Sequence, residues 1–223
     1  MIADALWLTV RLALTTSVLL ILLCLPLAAW LATTRSRLKP WVEALVALPL
    51  VLPPTVLGFY LLLFMSPNQG VGRWWFEQFD QTLAFSFWGL VLGSMVYSLP
   101  FVLQPLQRTL EAQGRGLSET AYTLGANRWQ TFLSIRLPLA IPGFVAAFVL
   151  GVAHTVGEFG VVLMIGGNIP GQTQVLSILL FDQVESLNYA LAHRLSAGLV
   201  VTSLLVLVGL YRWNRHATVR VGT

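Results

Sequence analysis

Five stretches of the chain carry no charged side chain: residues 12–34, 44–72, 81–107, 137–157 and 195–211. Within them apolar residues recur on all sides of a helix, so no polar face is left for water. That pattern belongs to helices buried in lipid, because a helix on a soluble core keeps one charged face. A hydrocarbon layer about 30 Å thick takes about 20 such residues per crossing. The pattern predicts spans near 8–33, 43–65, 83–107, 139–165 and 189–211 in a single transmembrane domain, 1–223, whose longest polar loop covers 108–138. Between the last two spans, Val175 to Phe181 is apolar but too short to cross, and is expected re-entrant or along the surface.

Composition removes the soluble alternative. Of 223 residues 57% are hydrophobic and 10% charged, where a soluble domain has about 25% charged. The first apolar run is too long for a cleavable signal peptide and reads as a permanent span. The single cysteine, Cys24, excludes a disulfide framework within one chain.

The net charge of +4 matters less than its placement. Arg35, Arg37 and Lys39 follow the first span. Arg108, Arg115, Arg128 and Arg136 follow the third, and Arg212, Arg215 and Arg220 follow the fifth. These are 10 of the 13 basic residues, leaving Arg11, Arg73 and Arg194 for the other side. Cytoplasmic loops collect Lys and Arg, so the N-terminus is expected outside and the C-terminus inside. Trp74, Trp75, Phe76 and Phe79 then fall in an outer loop, where aromatic belts form.

Prolines punctuate the spans. Pro26, Pro53, Pro54, Pro100 and Pro105 each remove a backbone donor and bend a helix. The run L-P-L-V-L-P-P-T at 48–55 marks Pro53, Pro54 and Thr55 as candidates for a pathway or gate, since broken helices often line transport routes. A weak echo, L-P-L-A-I-P, stands at 137–142, and Pro170–Gly171 favours a tight turn.

Enzymatic chemistry has no positive signal. A phosphate-binding loop needs Gly-Lys-Ser/Thr after spaced glycines, and the only lysine, Lys39, has no glycine before it. His154, His193 and His216 are too widely spaced for a helical zinc protease site, and G-L-S-E-T at 116–120 fails the nucleophile-elbow pattern at its last position. No metal, cofactor or catalytic residue is assigned. One carboxylate stands out: Glu158, seven residues before Ile165 and inside the fourth apolar segment. A charge at mid-span costs about 2.5–3.5 kcal/mol. His154, four residues earlier, is expected on the same helix face. Glu158 is a gate or pathway element, or a polar contact between packed helices. The second is favoured, because an anion pathway gains nothing from a fixed negative charge.

The polar loop carries the most specific pattern. Glu119-Thr120-Ala121, Gly125 after three intervening residues, and Ile135-x-Leu137-Pro138 after nine more resemble the cytoplasmic loop of permease subunits of bacterial ABC importers, with Thr120 in place of the usual middle alanine. L-P-L-V-L-P-P-T, G-E-F-G at 157–160 and N-I-P-G-Q-T at 168–173 extend the resemblance to the oxyanion branch, and to its molybdate permeases over its sulfate permeases. His154 departs from that branch, which usually has arginine there.

The resemblance implies an all-α membrane protein of five transmembrane helices with the type I ABC importer permease (MetI-like) bundle. It would sit in the bacterial inner membrane as a homodimer, with two copies of an ABC ATPase subunit and a periplasmic oxyanion-binding protein, and without nucleic acid. It implies import of an oxyanion, molybdate first, with sulfate or tungstate as alternatives. A secondary carrier or a structural membrane protein would leave the loop motif unexplained. In the family the loop is a short helix seated in the ATPase; here Ser118 would cap it, Glu119 would sit at its positive end, Gly125 would end it in the left-handed conformation, and Asn127 would cap a second helix. Ala121 and Leu124 would press into the partner, with Thr120 and Ala126 completing the coupling segment.

Overall fold

A computed structural model describes residues 2–114 and 116–220, with side chains described through Trp213. Arg115, and the side chains of Arg215, His216 and Arg220, lie outside the described residues. The described chain is helical throughout. In order the helices are α1 (Ile2–Thr33), α2 (Lys39–Val51), α3 (Pro54–Phe64), α4 (Gly70–Phe79), α5 (Phe87–Ala112), α6 (Gly116–Thr123) and α7 (Arg128–Thr131). After a π-helical turn, Phe132–Arg136, come α8 (Leu137–Leu139), α9 (Ile141–Gly157), α10 (Gly160–Gly166), α11 (Leu176–Glu185) and α12 (Tyr189–Arg220).

α1, α5 and α9 pack on one another and form the centre. On α1 the buried positions Leu8, Leu12, Thr16, Leu20, Cys24 and Ala28 repeat every four residues, which places them in one stripe along the helix. One apolar cluster joins Leu20, Cys24 and Leu31 of α1 to Val46 of α2, Val102, Leu103, Leu106 and Leu110 of α5, and Ala147 of α9. A second joins Leu8 and Leu12 to Leu90 and Val91 of α5, Val161, Val162 and Ile165 of α10, and Ile178 of α11. Small residues set the spacing: a Cβ at Gly151 would sit 2.7 Å from Val102 Cγ2, so the α5–α9 crossing closes only around glycine.

Three helices, α1, α5 and α12, are each long and apolar enough to cross a membrane, and two bent pairs raise the number to as many as five. The bends alter two expected spans. The segment 43–65 is two helices, α2 and α3, turned by 111°. Leu52 (ψ 137°) and Pro53 (ψ 135°) are both extended, because each precedes a proline whose ring disfavours the helical conformation before it. The segment 139–165 is also not one helix. Its entry bends by 64° between 128–139 and α9, where Pro138 and Pro142 lack amide donors, and α9 stops at Gly157, short of α10.

The expected surface piece 175–181 is the start of α11, whose Leu176, Ile178 and Leu179 are buried. Thr9 of α1 holds its start: the hydroxyl accepts from Leu176 N (2.8 Å) and donates to Ala5 O (2.7 Å). N-I-P-G-Q-T closes the α10–α11 turn. Asn168, at φ 57°, donates to both oxygens of Asp182 (3.0 and 3.0 Å), and Gln174 Nε2 reaches Asn168 Oδ1 and Asp182 Oδ2 (2.9 and 2.9 Å). α12 continues beyond the expected end at 211 and leaves Val200, Val201, Leu204 and Leu205 bare. The aromatic loop is α4, with Trp74, Phe76 and Phe79 exposed.

Candidate functional site: the α5–α9 loop and two facing helix breaks

The loop between α5 and α9 is ordered by local hydrogen bonds. α6 ends in a two-bond cap: Gly125 N donates to Tyr122 O (3.0 Å) and Ala126 N to Ala121 O (3.0 Å). This pairing needs a left-handed residue after the helix, and Gly125 has φ +86°. Asn127 then opens α7 with a reciprocal cap. Its side chain accepts from Gln130 N (2.8 Å), while Gln130 Oε1 accepts from Asn127 N (3.0 Å).

Two expectations for α6 are corrected. The helix starts at Gly116, so Ser118 lies inside its first turn and does not cap it; Thr120 turns its hydroxyl back to Gly116 O (2.9 Å). Ala121 is 5% exposed and faces inward, so it does not press on a partner in this arrangement. The outward side belongs to Leu124, 84% exposed, and Tyr122. Glu119 is exposed in the first turn and lines a hollow beneath α6 with Tyr122, Glu111 and Arg136. Ala126 is half-buried.

The base of the loop is clamped by two residues the motif did not single out. Arg136, 8% exposed, donates Nη2 to Leu110 O (2.8 Å) and Nε to Gln113 Oε1 (3.2 Å). Gln113 Nε2 returns a bond to Arg136 O (2.9 Å). The end of α5 is thus tied directly to the end of the π-helical turn, across 23 residues of chain. In sequence Arg136 is one more basic loop residue, and nothing marks Gln113 as its partner. The π turn stands where Pro138 would leave carbonyls of the preceding turn without donors; Leu137 N bonds Phe132 O instead.

The other candidate residues lie at the two helix breaks, which pack against each other. A Cβ at Gly160 would sit 2.8 Å from Pro54 Cβ, and one at Gly58 2.7 Å from Met164 Cβ. Pro54 therefore rests on the backbone that follows Glu158. Pro53 and Thr55 are exposed beside it. Glu158 is not on a helix face: it is the extended residue (ψ 132°) that ends α9, and the four-residue relation to His154 gives no hydrogen bond. His154 Nδ1 pairs with Ser98 Oγ (2.9 Å) and its ring stacks on Phe101 at 3.8 Å. Glu158 is 3% exposed; Ser177 Oγ donates to its backbone carbonyl (2.6 Å), while neither carboxylate oxygen has a hydrogen-bond partner. Ser94 adjoins the carboxylate, but its hydroxyl does not meet it in hydrogen-bond geometry.

At the same end as the loop, Lys39 Nζ reaches Glu111 Oε1 (2.7 Å) and Glu43 Oε1 (3.7 Å), and Gln107 Nε2 donates to the same two oxygens (3.0 Å to Glu111, 2.6 Å to Glu43). The network holds the start of α2 to the end of α5. Its hydrogen bond to Lys39 lowers the Glu111 carboxyl from its ordinary value and raises the Lys39 ammonium.

A helical membrane bundle with broken helices and an ordered, outward-facing helix in its longest loop is the architecture of ABC importer permeases. Solved structures agree at the level of fold: a chain of the MetNI methionine ABC transporter superposes with TM-score 0.75 at 19% identity, covering 97% of this chain and 96% of that one. A chain of a bacterial alginate ABC transporter, solved with its periplasmic protein, gives 0.75 at 18%, covering 97% and 79%. The chain belongs to the family of binding-protein-dependent transport system inner membrane components, which matches residues 24–221. It is 55% identical over 213 residues to the molybdenum transport system permease protein ModB of Azotobacter vinelandii, covering 95% of this chain and 93% of that protein. To ModB of Escherichia coli K12 it is 34% identical, covering 96% and 97%. To the sulfate permease CysT of the same organism it is 35% identical, covering 81% and 65%.

Proposed function

We propose that this chain forms the membrane pathway of an ATP-driven importer of molybdate. Two copies would pair in the inner membrane with two separate ATPase subunits, and a periplasmic oxyanion-binding protein would deliver the anion. The observation that carries the substrate is the 55% identity to a molybdenum permease across 95% of the chain. The coupling role rests on α6, whose C-terminal end is fixed by hydrogen bonds while Leu124 and Tyr122 stay open for a partner. Motion imposed on α6 would reach α5 and α9 through the Arg136–Gln113 clamp.

The basic end of the bundle, with Lys39, Arg108 and Arg136, faces the cytoplasm in this reading, and the α10–α11 turn faces outward. In a variant lacking Cys24, a cysteine at Ser118 should label only from the cytoplasm and one at Gln172 only from outside; the reverse would overturn the orientation. The substrate is tested by uptake of radiolabelled molybdate into vesicles holding the complete transporter. Uptake should require ATP and the binding protein, and excess sulfate should compete poorly. Sulfate uptake with no molybdate uptake would favour the sulfate reading, which the relationship to CysT keeps specific.

A further inference from the structure

One face of α5 carries Tyr97, Phe101, Gln104 and Arg108 at helical spacing, all partly or fully accessible. Its lower half lines a cavity of about 490 Å³ between α5, α9 and the end of α2. Leu50, Pro142 and Ala146 supply apolar wall. Arg108 is the only charged residue in the lining.

The polar groups there are not equally available. The Thr109 hydroxyl donates to Pro105 O (2.8 Å), so its proton is committed. Glu43 and Glu111 line an adjoining cavity that Gln104 and Arg108 also border, and both carboxylates are engaged by Lys39 and Gln107. Glu111 feels the charge of Arg108, but no described carboxylate comes within ion-pairing distance of it. The Gln104 amide has no hydrogen-bond partner among the described residues and stands one turn from Arg108. A guanidinium and a primary amide, donors aimed into one hollow, match the oxygens of a tetrahedral oxyanion.

We propose that Arg108 and Gln104 form a weak binding site for a tetrahedral oxyanion at the cytoplasmic end of the pathway. This rests on the oxyanion-import reading and adds to it the residues of this chain that touch the anion. A single cation at an open mouth attracts a dianion without trapping it, which suits a release step. Higher up, at His154, Phe101 and Tyr97, the same face presents rings and no fixed positive charge, so Arg108 is the first cation an inbound anion meets along it.

The test uses Ala146→Cys, in the wall of the same cavity and not a proposed ligand, in a Cys24→Ser background, with the permease assembled on its ATPase subunit in nucleotide-free inside-out vesicles. Rates are measured with an anionic sulfonatoethyl methanethiosulfonate and its cationic trimethylammonium analogue. A nearby cation should favour the anionic reagent, and Arg108→Gln should lower the anionic-to-cationic rate ratio about tenfold, as expected for a charge a few ångströms away in a medium less polar than water. Arg108→Lys should keep the ratio. Millimolar molybdate should slow the anionic reagent only while the cation is present. An unchanged ratio in Arg108→Gln, or no protection by molybdate, tungstate or sulfate, would overturn the site. Protection by sulfate and not molybdate would support the site and overturn the substrate. Failure of wild-type vesicles to import molybdate would sink the transport reading, while the rate ratio would still report on the site.

Discussion

The α5–α9 loop and the pair of helix breaks handle polar groups in opposite ways. In the loop, exposed to water, backbone donors and acceptors are matched by neighbours a few residues away: Ala126 with Ala121, Asn127 with Gln130, Thr120 with Gly116. At the break between α9 and α10, buried in the bundle, Glu158 is left without a hydrogen-bond partner for either oxygen, and Ser94 beside it is unpaired as well. Water would have satisfied the loop regardless, so its hydrogen bonds fix shape more than they add stability. The buried Glu158 carboxylate has no such surroundings, and close packing of Pro54 on Gly160 holds the two breaks together. The loop is therefore specified locally and can move as a unit, whereas the breaks depend on the helices around them.

Substitutions can test that contrast. The largest expected effect is at the breaks: Gly160→Val forces atoms into Pro54 and should destabilise the bundle by about 3 kcal/mol, the upper range for overpacking. Loss of folded protein in detergent, read by size-exclusion chromatography and thermal denaturation, would show it; unchanged thermal behaviour would mean that the breaks are loosely packed. Next comes Arg136→Met at the base of the loop. It strands Leu110 O and Gln113 at about 1–3 kcal/mol, and should lower uptake per ATP hydrolysed while the ATPase subunit still co-purifies. Normal coupling in this variant would remove the clamp from the path of force.

Gly125→Val should cost about 1–2 kcal/mol, confined to the loop, because a β-branched residue resists the left-handed conformation. The bundle should denature as wild type does, yet binding-protein-stimulated ATP hydrolysis should fall; full stimulation would show that α6 does not transmit. Glu158 gives a smaller effect, because its carboxylate does not make the polar contact expected from sequence. With no partner to strand, Glu158→Leu should fold as well as Glu158→Gln, both within about 1 kcal/mol of wild type. Selective loss of the Leu variant would reveal a partner.

The smallest effect belongs to Lys39→Met, worth about 0–1 kcal/mol for so exposed a pair. Its pH dependence has a definite sign. Glu111 is lowered, so its contribution is present above the ordinary carboxylate range and is lost as pH falls through its depressed value. Lys39 is raised, so its contribution holds until pH climbs past the ordinary lysine range. The wild type and Lys39→Met should thus differ across neutral pH and converge in acid; a difference that persists in strong acid would point to packing of the lysine stem.

Charge-free runs of twenty residues and more determined the membrane class, because burying such helices in lipid needs only composition and length. Gly125 and Asn127 were legible as caps, because a cap involves residues three to five apart and obeys the same stereochemistry in any fold. Local rules also placed Pro53 and Pro54 at a bend, whereas Pro26, Pro100 and Pro105 lie inside the continuous helices α1 and α5; only the packed structure, with α10 against α3, decided where a proline breaks a helix and by how much. Ala121 looked available in sequence and is buried in the fold, because which side of a short helix faces inward depends on what it meets. The Gln113–Arg136 clamp, the stacking of His154 on Phe101 and the isolation of Glu158 join residues that only the crossing of α5 with α9 and the closure of the loop bring together. Those pairings carry no signal in spacing, since their partners are fixed by the shape of the bundle and not by position along the chain.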